Sequence, residues 1–258
     1  MSSLDANQIV SSSVVAVHLP RPWPPRVIAV DGDDTLWHNE TLFSMTQGRF
    51  RKLLLHHVDL PNTLIDARLA ETVQRNLSVY GHGIKGFVLS MVETAITVTD
   101  GRIPAQDIRT ILSFGRTMLE HPVDLIEGAR EVLETLRARD HELWLIADGD
   151  VFDQESKIAR SGLAPLFHYI EIVTEKDEDT YRRLLDQHGV LPEEFARVGN
   201  SLSSDVLPVT GIGGRALHVP DQVTLPQDTA ESGPPHAGAI QTLPNLGALL
   251  QVLGAPTE

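Results

Sequence analysis

Val27-Ile28-Ala29-Val30-Asp31-Gly32-Asp33-Asp34-Thr35 is the stretch on which the fold of this 258-residue chain turns. Its first four residues are apolar on consecutive positions, which suits a short β-strand buried on both faces. Where the apolar run stops, three carboxylates fall within four residues. Like charges packed at a strand end destabilise the fold unless a cation or a proton offsets them, so the cluster predicts a hard, oxygen-seeking ion such as magnesium. Read alone, the same residues also suit an acidic turn, since Asp-Gly and Asp-Asp pairs turn readily.

Outward from this stretch the pattern changes character twice. Over 38–122 apolar residues recur at helical spacing, among them Phe43, Phe50, Leu53, Leu54 and later Leu89, Val92 and Ile96. Beyond Pro122 helices and strands alternate: a helix over 128–139, a strand over 142–147, a helix over 154–161, a strand over 169–173, a helix over 179–188 and a strand over 195–199. That rhythm predicts an α/β fold, a doubly wound parallel sheet whose ligands bind at the carboxyl ends of the strands. The helical stretch leaves the sheet after the first strand and returns before the second, so it reads as an inserted α-helical cap. The expected organisation is an extended arm over 1–25, rich in proline at 20, 22, 24 and 25, a core made of 26–37 and 123–258, and a cap over 38–122. After Pro220 the chain reads as loop through His236, then a strand near 239–242 and a helix near 246–253.

Composition narrows the function. The net charge of −14 repels a phosphate backbone, so no nucleic-acid partner is expected. No stretch is long enough to span a membrane, and residues 1–13 carry no basic cluster ahead of an apolar run, as a secretory signal would. With no cysteine in the chain, disulfides and thiolate chemistry are excluded and a reducing cytoplasm is permitted. A cytoplasmic protein of unspecified oligomeric state is expected. The eleven histidines are scattered, and His56-His57 diverge on a helix, so zinc is not expected.

A second polar cluster, Gly199-Asn200-Ser201-Leu202-Ser203-Ser204-Asp205, closes the strand over 195–199. Parallel strands bring it to the same sheet edge as Asp31, where Asp205, Asp31 and the Asp33 backbone carbonyl can share a magnesium ion. A serine N-cap is the plainer reading of the same residues. Lys176, just after the strand over 169–173, can neutralise a phosphoryl group beside the carboxylates, although most lysines are simply solvated.

Taken together these pieces resemble the haloacid dehalogenase-like (HAD) superfamily. The motif D-x-D-x-T matches Asp31, Asp33 and Thr35, the lysine motif matches Lys176, and the acidic motif matches Asp205, with Asn200 where many members carry aspartate. The likeness covers about 26–220 and extends to Trp37-His38-Asn39-Glu40 and Tyr80-Gly81-His82-Gly83-Ile84-Lys85-Gly86, which look like those of helical-capped members. It implies a phosphatase acting on a small phosphorylated metabolite with Mg2+. Asp31 would become transiently phosphorylated, Asp33 would act as acid and then base, and Asp31, Asp33, Asp205 and Asn200 would surround the metal. Crowding by Asp31 and Asp34 would help Asp33 hold a proton. Thr35, Ala147, Asp148 and Gly149 fall at phosphate-binding positions.

The resemblance breaks at the second motif. Similar sequences end the strand over 142–147 in threonine or serine and follow it with lysine or asparagine; here Ala147 and Asp148 remove a hydroxyl donor and add a negative charge. One lost transition-state donor costs roughly 2.7 to 4 kcal/mol in other hydrolases. A weakened phosphatase, a binding or sensor module that has lost turnover, and a dehalogenase of the same superfamily therefore compete, and the acid at Asp33 favours phosphate. Substrate contacts are expected in the cap and its approach, from His38, Asn39, Glu40, His82, Lys85 and Glu93, with Lys85 foremost. Gly81, Gly83 and Gly86 imply a bend or a close approach.

Overall fold

The computed structural model describes residues 25–220 and 240–254. The arm expected over 1–25, apart from Pro25, and the loop expected over 221–236 lie outside the described residues. Among them no helix is long and apolar enough to cross a membrane.

The chain runs β1 (Val27–Val30), α1 (Glu40–Leu54), α2 (Asn62–Tyr80), α3 (Ile84–Val98), α4 (Ala105–Glu120), α5 (Ala129–Ala138), β2 (Glu142–Asp148), α6 (Val151–Ser161), β3 (Tyr169–Val173), α7 (Glu178–His188), β4 (Phe195–Gly199), α8 (Leu207–Gly211), β5 (Arg215–His218), β6 (Ile240–Thr242) and α9 (Leu249–Gly254). Among the described residues six strands form one sheet in the order β3-β2-β1-β4-β5-β6, and every pairing in it is parallel. This is the doubly wound α/β architecture expected from the alternation beyond Pro122. Strand order reverses between β1 and β4, so the loops after these two strands diverge and leave a crevice.

Alternate residues of each strand feed two apolar layers. Ile28, Val30, Leu143, Leu145 and Val198 pack with α5, α9 and Ile158 of α6. Val27, Ala29, Trp144, Ile146 and Phe195 pack on the other face against Tyr181, Leu184 and Leu185 of α7. Burial on both sides explains why these strands read as continuous apolar runs.

The four helices α1–α4 lie between β1 and β2 and share a separate core that includes Phe50, Leu54, Ile65, Leu69, Met91 and Ile111. The segments entering and leaving them pair side by side, with His38 N–H donating to the Asp124 carbonyl at 2.9 Å and Ile126 N–H to the Leu36 carbonyl at 2.9 Å. Gly81 and Gly83, with φ of 70° and 121°, make the sharp turn between α2 and α3 that the glycine-rich segment suggested.

One boundary and one element differ from expectation. Helix α6 begins at Val151 rather than at 154, because the Asp150 side chain caps it by accepting from Asp153 N–H at 3.0 Å. Strand β5 had no counterpart in the sequence reading, since its four residues follow Gly213-Gly214 and are too few to show a period.

Candidate active site

Asp31 follows β1 directly and is 4% exposed, with its backbone N–H bonded to the Val198 carbonyl of β4 at 2.9 Å. Lys176, after β3, places Nζ 2.9 Å from Oδ1 of each of Asp31, Asp148 and Asp205. Asp205 is fully buried and also accepts from Ser201 N–H at 3.1 Å through Oδ2. It approaches β4 so closely that a Cβ on Gly199 would stand 2.2 Å from Asp205 Oδ2, so glycine is required there. The structure thus gathers Asp31, Lys176 and Asp205 from three distant segments at one sheet edge.

Arg197, inside the FARVG strand, joins them and was not anticipated. It is wholly buried, with Nη2 3.0 Å from Asp31 Oδ1 and 2.7 Å from Asp205 Oδ1. A charged residue in a run otherwise read as apolar was the signal available in the sequence, since arginine is almost never fully buried unless paired.

The two carboxylates answer this environment differently. Burial and the charge of Asp205 push Asp31 up to about 7, against the pull of Lys176 and Arg197. For Asp205 burial also works upward, but Lys176 and Arg197 outweigh it and hold the group below the ordinary carboxylate range. Lys176 is raised well above its ordinary value: burial opposes its charge, and Asp205, Asp31 and Asp148 overcome that.

Asp33 and Asp34 do not crowd one another. Asp34, at φ 57°, turns its carboxylate to the N–H groups of Asn39 and Glu40 at 2.8 and 3.0 Å, where it supports the start of α1. Asp33 is reached by donors: Lys157 Nζ at 2.8 and 2.7 Å, Trp37 Nε1 at 2.6 Å and Gln154 Nε2 at 2.9 Å. The expected crowding by neighbouring acids is therefore replaced by an ion pair with Lys157. Lys157 is itself buried, and although burial opposes its charge, Asp33 and Asp153 raise its pKa. Gln154 and Lys157 share one face of α6 at i, i+3 spacing, a pattern visible in the sequence but not singled out.

A cavity of about 220 Å³ opens over these groups, lined by Asp31, Asp33, Lys176, Asn200 and, from the cap side, His82 and Gly83. Asp148 and Gly149 line it as well, and Gly149 has φ 124°. Thr35 is buried and donates to Asn200 Oδ1 at 3.4 Å, so it braces the β4 loop and does not line the cavity. Ala147 is likewise buried, while Asp148 turns its carboxylate to Lys176.

The cap-side expectations divide. Asn39 and His82 reach the cavity. Lys85 does not: its ammonium pairs with both Asp150 oxygens at 2.9 and 3.0 Å and lies 5.2 Å from the Phe152 ring centroid, which ties α3 to the start of α6. The nearer Asp150 carboxylate satisfies a charge that the sequence reading had reserved for substrate. Glu93 pairs with Arg75 and Asn76 inside the cap, His38 is exposed, and Glu40 serves the first turn of α1.

Residues 25–209 match the family model of haloacid dehalogenase-like hydrolases. The chain belongs to that family. Its fold is shared by the crystal structure of a HAD-like hydrolase from Xanthomonas campestris, 36% identical, with a TM-score of 0.76 over 91% of this chain and 95% of that one. The magnesium-bound HAD hydrolase YfnB of Bacillus subtilis aligns at 17% identity and a TM-score of 0.61, over 90% of this chain and 99% of that one, and so shares the fold. A dehalogenase structure also shares it, at 13% identity and a TM-score of 0.61 over 90% of this chain and 98% of that one. Pyrimidine 5'-nucleotidase PynA of Streptococcus pneumoniae (strain ATCC BAA-255 / R6) is 28% identical over 87 residues, 31% of this chain. The match spans 37% of that relative's length.

Proposed function

We propose that this HAD hydrolase cleaves phosphate monoesters of a small metabolite with the help of magnesium, through an aspartyl-phosphate on Asp31. The observation that carries this reading is how Asp31 is held. Oδ1 receives Lys176 and Arg197, no hydrogen bond reaches Oδ2 among the described residues, and the residue lines the cavity. One oxygen is fixed and the other is left to attack.

The donors suit a hard cation. Among the described residues no three acidic or histidine side chains converge as a metal cage. The Asp31 carboxylate, the Asn200 amide oxygen and the Asp33 backbone carbonyl would hold magnesium, with water and substrate oxygens completing the shell. Asp205, engaged by Lys176, Arg197 and Ser201, serves in this reading as the anchor of the two cations. Bound magnesium would screen the phosphoryl charge as the carboxylate approaches.

The chain's own groups then divide the work. Asp31 Oδ2 bonds to phosphorus as the ester P–O bond breaks, and the leaving oxygen takes a proton from Asp33. In the second half Asp33 takes a proton from water, whose oxygen bonds to phosphorus while the bond to Asp31 breaks. Lys157, Trp37 and Gln154 fix the Asp33 carboxylate for that exchange, and Lys176 offsets the negative charge gathered at Asp31. The acid position at Asp33 disfavours the dehalogenase alternative. The similarity to PynA puts nucleoside monophosphates in the first panel of substrates, and a chain without cysteine is compatible with the cytoplasm.

One observation favours a second reading, a binding module with little turnover: Asp148 pairs with Lys176 at 2.9 Å and thereby occupies a cation that a phosphoryl group would need. A panel of phosphate monoesters assayed with and without magnesium separates the two, with the Asp31→Asn protein as blank. Magnesium-dependent turnover lost in Asp31→Asn supports the phosphatase. Tight ligand binding with no turnover in either protein supports the binding module.

A further inference from the structure

Arg197 interrupts an apolar strand, and the steps above do not require a guanidinium at that point. Its cross-strand partners are Ala29 on β1 and Ala216 on β5, two small residues that leave room for its length. The head group is locked. Nη2 donates to the Ile146 carbonyl of β2 at 2.8 Å and reaches Asp31 and Asp205, Nε donates to Asp205 at 3.1 Å, and the guanidinium carbon lies 5.8 Å from the Tyr181 ring centroid. Nη1 is buried without a hydrogen-bond partner. Arginine cannot shed its charge to relieve that penalty, so the charge has to be offset by the groups around it.

The local charge supplies the need. Asp31, Asp148 and Asp205 all converge on the single ammonium of Lys176. With all three ionised, the carboxylates facing one cation leave two negative charges over, and Arg197 reduces that to one. We propose that Arg197 is a resident cation of the site, holding Asp31 and Asp205 in place before any metal arrives and competing electrostatically with the divalent ion. The inference rests on the magnesium reading above. With Arg197 present, a divalent ion takes the cluster from one excess negative charge to one excess positive charge; without it, the same ion brings neutrality. Removing the guanidinium charge should therefore tighten magnesium binding, by about tenfold or more for a unit charge acting a few ångströms away through partly polar protein.

Calorimetric titration of magnesium chloride into the wild-type protein, R197M, R197Q and R197K tests this, with the melting temperature as a second readout. R197M and R197Q are expected to melt lower without magnesium, to bind it at least about tenfold more tightly and to gain more in melting temperature from it, while R197K keeps wild-type affinity. If R197M does not fold, R197Q, which keeps amide donors for Asp205, carries the comparison. Folded neutral variants that bind magnesium no more tightly than the wild type overturn the inference and leave the magnesium reading intact. If neither the wild type nor any variant binds magnesium, both fall together.

Discussion

Asp31 and Asp33 stand two residues apart on one loop and live in different surroundings. Asp31 is buried, shares two fixed cations with Asp205 and is pushed up to about 7. The Asp33 side chain is 26% exposed and is held by Lys157, Trp37 and Gln154, groups carried by helix α6 and by the segment leading into the cap. In the mechanism proposed above, the difference separates two roles. A nucleophile gains from a rigid, dry setting, whereas a group that exchanges protons with water needs access to it and partners that stabilise its charge. The sheet supplies the first setting. The edge facing the cap supplies the second.

Breaking the buried half should have the largest effect. Asp31→Asn should lower turnover of any phosphate monoester the protein accepts by more than about a thousandfold, measured as released phosphate at saturating magnesium. The same variant sharpens the contrast through pH. Asp31 titrates near 7 in the folded protein and near 3.8 in the unfolded chain, so between these values the native state binds more protons and metal-free stability falls as pH rises. Denaturant melts from pH 4 to 8 should show a shallower fall for Asp31→Asn than for the wild type.

The cap-facing half should tolerate change somewhat better. Asp33→Asn should reduce kcat by roughly a hundredfold to ten-thousandfold and remove one limb of the pH–rate profile, with magnesium affinity little changed. Back in the buried half, Lys176→Met leaves Asp31 and Asp205 on Arg197 alone and takes the ion-pair partner from Asp148; removing one partner of a buried charge cluster typically costs about 3 to 5 kcal/mol, readable by denaturant unfolding.

How much of this contrast was legible beforehand follows from the physics of each residue. Asp31, Asp33, Lys176 and Asp205 could be placed because they lie in the segments that follow the strands, and parallel strands put all such segments on one edge. Arg197 could not, because its partners lie on other strands and only three-dimensional pairing shows that Ala29 and Ala216 make space for it. Lys157 was missed for a similar reason: a lysine on an amphipathic helix looks solvated until the Asp33 loop is folded against it. Lys85 misled in the opposite direction, since nothing in its local sequence reveals that Asp150 lies within hydrogen-bond reach. Short β5 carried too few residues to show any period.

Two smaller effects sharpen the comparison further. Ala147→Thr returns a hydroxyl to the end of β2 and should raise kcat for a phosphate monoester by about tenfold or more, since one such donor is worth roughly 2.7 to 4 kcal/mol in the transition state of other hydrolases. An unchanged kcat in a folded protein would count against phosphate as the transferred group. Lys85→Ala, which cuts a half-exposed ion pair between cap and core, should cost less than about 1 kcal/mol of stability, the range of exposed pairs. A larger loss on thermal unfolding would mean that this contact carries more of the cap's attachment than its exposure suggests.

The most direct test of the account is chemical capture of the intermediate. Protein quenched in acid during turnover of a phosphate monoester, reduced with borohydride and mapped by mass spectrometry should carry homoserine at position 31, the product expected from an aspartyl-phosphate there. An unmodified Asp31 in protein that is releasing phosphate, or homoserine at another aspartate, would contradict it.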